Sequence, residues 1–178
     1  MKMYSPKDIV RSGLCIGCGS CVAQANHTGA TMNFDKYGQL KPKGPSGWIQ
    51  QKSEQFSATC PFSPLALNEQ QLAAEQFPGA KQLDDHLGRF QAAYVGYVQE
   101  EDFRLKGSSG GMVSWVATEL LRRELIDGVA HVVATENPQQ AGRYFQYRIS
   151  RTEDEVREGA KSRYYPIDLS EVLKTISA

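Results

Sequence analysis

Three of the four cysteines in this 178-residue chain lie three residues apart, in the run Cys15-Ile16-Gly17-Cys18-Gly19-Ser20-Cys21. The fourth, Cys60, stands 39 positions beyond Cys21 and is followed by Pro61. Thiols at this spacing can surround one compact inorganic group, because a coiled loop turns each side chain inward. The pattern therefore predicts a loop-rich segment folded around these four side chains.

Four thiols could form three kinds of site: an iron–sulfur cluster, a zinc site or two disulfides. A [4Fe–4S] cluster takes four thiolates, and a C-x2-C-x2-C run completed by a remote Cys-Pro is typical of ferredoxins. A structural zinc ion also takes four thiolates, but usually from two separate C-x2-C pairs. Two disulfides would need an oxidising compartment, and the first residues lack the apolar stretch of a secretory signal. The spacing favours a cluster ligated by Cys15, Cys18, Cys21 and Cys60, with zinc as the main alternative.

A cluster held by four thiolates is anionic, so it needs compensating groups around it. We expect the backbone amides of residues 17–19 to point towards the sulfurs. Lys41, Lys43 or Lys52 would add positive charge if the chain folds them near the cluster.

The chain divides near residue 90 by composition. Residues 1–90 hold all four cysteines and six of the eight prolines, and they are predicted to form the cluster-binding segment from loops and short turns. Residues 41–47 have the Pro and Gly content of a turn, and residues 65–77 predict a helix that ends before Pro78.

Residues 91–178 are predicted to form a small α/β domain with a mixed sheet, so the fold class is α+β or mixed α/β. A strand, a helix and a strand joined by short loops favour a βαβ unit with a right-handed crossover. The amphipathic pattern that begins at Leu169 ends with the chain, so we expect this domain to be incomplete at its C-terminus. The predicted elements are strands at Ala92–Val98, Val129–Thr135 and Tyr144–Ile149, and helices at Met112–Leu125, after the capping box at Thr152, and at Leu169–Ile176.

Two short segments are candidate anion sites. Ser108-Ser109-Gly110-Gly111 precedes the helix at Met112, where free N–H groups and the helix dipole favour a phosphate, and Arg104 and Lys106 lie just upstream. The alternative is a serine N-cap with glycines that allow close packing. Lys161-Ser162-Arg163-Tyr164-Tyr165 combines basic and aromatic side chains that suit a phosphate and a ring. The alternative there is a solvated turn.

The remaining composition excludes several classes of protein. Lys and Arg balance Asp and Glu at 20 each, so the net charge gives no reason to expect nucleic-acid binding. The apolar runs fall short of the ~20 residues that a membrane span needs. A cytoplasmic location is expected. His131, between valine and alanine in a predicted strand, is expected to be a satisfied or solvent-facing histidine rather than a ligand.

These motifs, taken in order, resemble the coenzyme F420 hydrogenase/dehydrogenase beta-subunit family. The resemblance rests on the cysteine run with Cys60-Pro61, on residues 104–111 leading into 125–129, and on residues 161–164 before 168–173. It implies an oxidoreductase that carries FAD beside a [4Fe–4S] cluster and exchanges electrons with deazaflavin F420 or another hydride acceptor.

The resemblance also assigns roles to residues and partners. It implies that Lys106, Ser108, Ser109, Gly110, Gly111, Lys161, Arg163 and Tyr164 are flavin contacts. The implied partner is a redox protein such as ferredoxin or another hydrogenase/dehydrogenase subunit. Two alternatives stay open: a ferredoxin-like electron-carrier subunit without its own flavin, and a zinc-stapled scaffold without a redox role.

Overall fold

The computed structural model describes residues 2–25 and 27–177. The cysteine-containing part of the chain consists of short helices and two antiparallel hairpins. Its elements are α1 (Pro6–Arg11), α2 (Ser20–Gln24), β1 (Thr31–Phe34), β2 (Leu40–Lys43), α3 (Ser46–Ile49), α4 (Glu54–Thr59), α5 (Glu69–Gln76), β3 (Gln82–Asp84) and β4 (Gly88–Phe90).

The second part of the chain contains one longer hairpin flanked by helices. Its elements are α6 (Phe103–Lys106), α7 (Met112–Arg122), β5 (Val129–Ala134), α8 (Pro138–Ala141), β6 (Phe145–Ser150), α9 (Glu153–Glu158) and α10 (Ser170–Ser177). β5 and β6 pair antiparallel, from Val129 opposite Ser150 to Ala134 opposite Phe145. The structure is therefore α+β, as the sequence predicted.

A small apolar core lies directly behind the cysteine run. Val22, Ala25 and Ala30 are buried there, and Cys21 and Trp48 pack against them. Val22 follows Cys21 on α2, so the buried side chain of Val22 fixes the helix that carries the third thiol. This anchoring holds the end of the cysteine run in a defined position.

The two parts of the chain are in contact. α10 packs against α2, and its Val172 is 5% exposed. α9 begins at the capping box predicted from Thr152, whose hydroxyl accepts from the N–H of Glu155. α9 also packs against α7 and the β5–β6 hairpin. The helix predicted at 65–77 is present as α5, which ends before Pro78 as expected but begins only at Glu69, after its N-cap Asn68.

The strand predicted at Ala92–Val98 is wrong, and with it the βαβ unit. The segment is irregular, and Tyr94 and Val95 are 91% and 106% exposed. Only Val98 is buried, and its N–H donates to the carbonyl of Gly110 at 2.9 Å. An apolar run forms a strand only when another strand offers it an edge. Within the described residues, β5 is paired with β6 alone, so the expected mixed sheet is an antiparallel pair.

The turn predicted at residues 41–47 is also partly wrong. Residues 40–43 form β2, in which Pro42 stands opposite Met32 of β1. Proline is tolerated there because β2 pairs with β1 along one edge only, and the other edge of the strand needs no N–H donor. Among the helices that the structure describes, none has both the length and the apolar character required to cross a membrane.

Candidate metal centre and cofactor cavity

The four cysteine side chains line a single cavity. Cys15, Cys18 and Cys21 enter it from the loop before α2 and from α2 itself, and Cys60 enters from the C-terminal end of α4. All four residues are partly buried and none forms a disulfide. The rest of the wall is mostly apolar and includes Pro6, Ile9, Met32, Pro42, Phe56 and Phe62. The chain therefore brings Cys60 to the three thiols that lie 39 or more positions before it.

The conformation of the cysteine run depends on close backbone contacts. Gly17 has φ +78°, and a methyl group at its Cα would lie 2.5 Å from the carbonyl oxygen of Leu40 in β2. Next to Leu40, the ammonium of Lys41 donates to the carbonyl oxygen of Cys15. Of the three lysines expected near the site, Lys41 thus contacts the cysteine run directly. Its positive charge lies where an anionic centre would be stabilised.

The electrostatics of the cavity disfavour four free thiolates. Burial, and after it the charges of the three other sulfurs, raises the pKa of Cys21 to about 12. Burial also raises the pKa of Cys60, against the opposing effect of N–H groups from Phe62 and Ser63. Four anionic sulfurs around one cavity repel one another unless a cation lies between them, and a coordinating metal removes the thiol proton.

Backbone amides do point at the sulfurs, but from unexpected positions. The N–H groups that favour the thiolate form come from Val22 for Cys21 and from Phe62 and Ser63 for Cys60. We expected them from residues 17–19. Val22 lies in the first turn of α2, and its N–H also donates to the carbonyl of Gly19 at 3.0 Å. Pro61 has no N–H, so the next two residues supply the donors beside Cys60.

Zinc and a cubane place different demands on the four sulfurs. In residues 2–25 and 27–177, no three His, Cys, Asp or Glu side chains converge closely enough to hold one metal ion. A zinc ion needs all four sulfurs about 2.3 Å from a single point. A cubane is a larger body, and each of its irons binds one thiolate, so its cysteines stand further apart. Both centres take four thiolates, and the spacing of the cysteines along the chain, rather than the cavity, favours the cubane.

A second cavity, of about 420 Å3, is lined by the first predicted anion segment and by the first two residues of the second. Ser108, Ser109, Gly110 and Gly111 line it together with Lys161 and Ser162. The N–H of Ser162 donates to the hydroxyl of Ser108 at 2.6 Å, across 54 residues of sequence. The chain thus joins two segments that were identified separately. The volume lies within the roughly 300–1,000 Å3 of most small-molecule sites.

Close packing explains the glycines of the first segment. A methyl group at Gly111 would lie 2.6 Å from the carbonyl of Phe103, and one at Gly110 would lie 3.1 Å from the carbonyl of Gly96. No serine caps α7, because Gly111 itself is the N-cap residue. The alternative of a serine cap is therefore wrong, whereas the close packing that accompanied it is confirmed.

Three of the implied flavin contacts lie outside the wall of this cavity. Lys106 pairs with Asp102 at 2.6 Å on the surface. The guanidinium of Arg163 lies over the ring of Phe145 at 5.5 Å. Tyr164 is 97% exposed. The structure thus groups Ser108–Gly111 with Lys161 but not with these three side chains.

Sequence reasoning missed one group beside the cysteine run. Asp168 is 6% exposed, and its carboxylate lies against Gly19. The N–H of Leu169 donates to the carbonyl of Cys18 at 2.8 Å. The third motif of the resemblance, residues 168–173, includes Asp168. The residue types in that motif give no indication of a contact with Cys18.

The comparisons with known proteins concern the second part of the chain. No curated protein matches the chain. A family model described as Coenzyme F420 hydrogenase/dehydrogenase, beta subunit N-term, matches residues 93–174. The match contains the glycine-rich segment, the 161–164 segment and Asp168, and it begins after the four cysteines. The resemblance to the coenzyme F420 hydrogenase/dehydrogenase beta-subunit family is therefore confirmed over residues 93–174, which are similar to the N-terminal part of that subunit.

Proposed function

We propose that this protein is an iron–sulfur flavoprotein component of an oxidoreductase. Cys15, Cys18, Cys21 and Cys60 would hold one [4Fe–4S] cluster, and the cavity between residues 107–114 and 159–162 would hold the phosphates of FAD. The cluster supplies one-electron transfer, and the flavin supplies two-electron exchange with deazaflavin F420 or another hydride acceptor. The family is a redox family, which supports the general class.

The cysteine cavity is the observation that carries the proposal. Four thiols line one cavity, with Lys41 on the adjacent backbone and amide donors at two sulfurs. Positive charge and N–H donors are the groups that stabilise an anionic cluster. The C-x2-C-x2-C spacing supports a cubane over zinc, which usually takes two separate C-x2-C pairs.

The metal content tests this part directly. Protein purified anaerobically, or reconstituted with iron and sulfide, is expected to contain about four iron per chain, against about one zinc for a structural site. Cys18→Ala is expected to lose the iron and the brown colour. Ser20→Ala is the matched control, since it removes the hydroxyl at the start of α2 that accepts from the Cys18 thiol but keeps every thiol. Full iron in Cys18→Ala, or one zinc in the wild type, would refute the cluster.

The flavin part rests on the convergence of Ser108–Gly111 with Lys161. N–H groups before α7 and the ammonium of Lys161 would both face a bound phosphate. Lys161→Gln is expected to weaken FAD binding about 10- to 100-fold, the loss of one charge-assisted hydrogen bond. Lys106→Gln removes the same charge outside the cavity and should bind FAD as the wild type does.

A ferredoxin-like electron carrier without its own flavin is the second candidate. It is favoured by the position of the family match, which starts beyond the cysteines and leaves the cluster segment as a separate addition. Release of FAD on denaturation of the purified protein decides between the two. Iron without flavin would support the carrier.

The family name describes a subunit, so we propose that the chain acts within a hydrogenase or dehydrogenase complex. A ferredoxin or another subunit would exchange electrons with the cluster. Co-purification of such a redox subunit from the native source would support this, and a monomer that reduces the acceptor unaided would contradict it.

A further inference from the structure

We propose that residues 168–170 form a strap that positions the cysteine run, and that the carboxylate of Asp168 sets the reduction potential of the bound cluster. The inference rests on the proposed [4Fe–4S] cluster and adds a charged residue to its surroundings. The strap is defined here as Asp168, Leu169 and Ser170.

The strap is attached to the cysteine run by its backbone. The N–H of Leu169 donates to the carbonyl of Cys18 at 2.8 Å. A methyl group at Gly19 would lie 2.9 Å from the nitrogen of Ser170 and 3.1 Å from a carboxylate oxygen of Asp168. Gly19, at φ +86°, is also the N-cap of α2. The strap therefore contacts the residues between the second and third thiols.

The carboxylate of Asp168 is held in place by its own hydrogen bonds. Its Oδ1 accepts from the N–H of Ser170 at 3.0 Å and from the Ser170 hydroxyl. Its Oδ2 lies 3.7 Å from the guanidinium of Arg143, and the Asp168 side chain is only 3% exposed. The two donors of Ser170 and the nearby guanidinium therefore fix the position of the buried carboxylate.

A fixed negative charge beside a cluster opposes the addition of an electron. The interaction is weakly screened, because the carboxylate is buried and water is excluded. Asp168 should therefore hold the potential of the cluster lower than a neutral side chain would. Arg143 partly offsets this charge, so its removal should lower the potential further. The two side chains act in opposite directions.

The potential is measured by a redox titration followed by the paramagnetic signal of the reduced cluster. Asp168→Asn keeps the size of the side chain and an oxygen for Ser170, and should shift the potential to a more positive value at unchanged iron content. Arg143→Gln should shift it to a more negative value. Asp102→Asn is the control, since that carboxylate also pairs with an arginine, Arg157, but is at the N-cap of α6 rather than against the cysteine run. An unmoved potential in Asp168→Asn, or shifts of the same sign in both variants, would overturn the electrostatic role.

The positioning role is tested on metal-free protein, so it does not depend on the cluster. Leu169→Pro deletes the N–H that donates to Cys18, whereas Leu169→Ala keeps it. With this one hydrogen bond lost, alkylation of Cys18 by a maleimide should be about two- to tenfold faster in Leu169→Pro. Equal rates in the two variants would overturn the strap. Wild-type protein that takes up no iron while Cys18 still responds to Leu169→Pro would refute the proposed function and the potential-setting role but leave the strap intact.

Discussion

Replacing Gly17 by alanine should damage the cysteine run more than the same replacement at Gly13. Both glycines have positive φ, +78° at Gly17 and +80° at Gly13. Each alanine therefore carries the cost of the left-handed conformation, roughly 1–2 kcal/mol. The surroundings differ, because a methyl group at Gly13 meets nothing within 4 Å, whereas one at Gly17 lies 2.5 Å from the carbonyl oxygen of Leu40.

The additional cost at Gly17 is steric. The carbonyl of Leu40 belongs to β2, where Leu40 pairs with Phe34, so it cannot move away without disturbing the hairpin. Overpacking of this kind typically costs about 1–3 kcal/mol. We therefore expect Gly13→Ala to lower the free energy of unfolding by about 1–2 kcal/mol, and Gly17→Ala by about 2–5 kcal/mol.

Urea unfolding of the reduced, metal-free protein measures both changes. Trp48 packs on the core behind the cysteine run, so its fluorescence reports on this part of the chain. Iron uptake on anaerobic reconstitution is the second readout, and only Gly17→Ala should impair it. Equal losses of stability in the two variants, with equal iron, would refute the contact between the loop and β2.

Two further predictions concern the second part of the chain. Burial, with a smaller contribution from Arg148, lowers the pKa of His131 below 6.5, so the folded state binds fewer protons than the unfolded state. The free energy of unfolding should therefore fall as the pH drops below about 6.5 towards the lowered pKa. In His131→Gln the urea midpoint should depend less on pH between about pH 7.5 and 5. A pH dependence equal to that of the wild type would contradict the assignment. Arg157 pairs with two carboxylates and lies 3.9 Å over the ring of Phe103, so Arg157→Ala should cost about 1–3 kcal/mol in urea unfolding. Arg123→Ala, which removes a largely exposed arginine, should cost under about 0.5 kcal/mol, and a similar loss at both positions would contradict the reasoning.

Local patterns predicted much of the secondary structure. The capping box at Thr152, the helical spacing from Met112 and the valine-rich run at Val129 each produced the expected element, with ends within a few residues. Such signals depend on neighbours in sequence, so a single chain suffices to interpret them. The histidine at 131 is also satisfied, since its Nε2 lies 2.7 Å from the hydroxyl of the buried Ser150.

The errors occurred where an element needs a distant partner. The run at Ala92–Val98 has the composition of a strand, but strand formation requires an edge that the described hairpin does not offer. Hydrophobicity does not decide which residues of α7 are buried, since Val113 is 87% exposed whereas Thr118 of the same helix is fully buried. Burial depends on what packs against a helix, and the hydrophobic pattern alone cannot specify this.

The sequence by itself determined which ligand atoms the chain offers, since the number of thiols, their spacing and the Cys-Pro pair are local and set the chemistry. It also identified the glycine-rich and lysine-containing segments as separate candidates. Only the tertiary structure decided that Cys60 joins the other three thiols, that Ser108 meets Ser162, and that Asp168 lies against the cysteine run. These contacts join residues far apart in sequence, and their formation depends on the packing of the whole chain rather than on any short pattern.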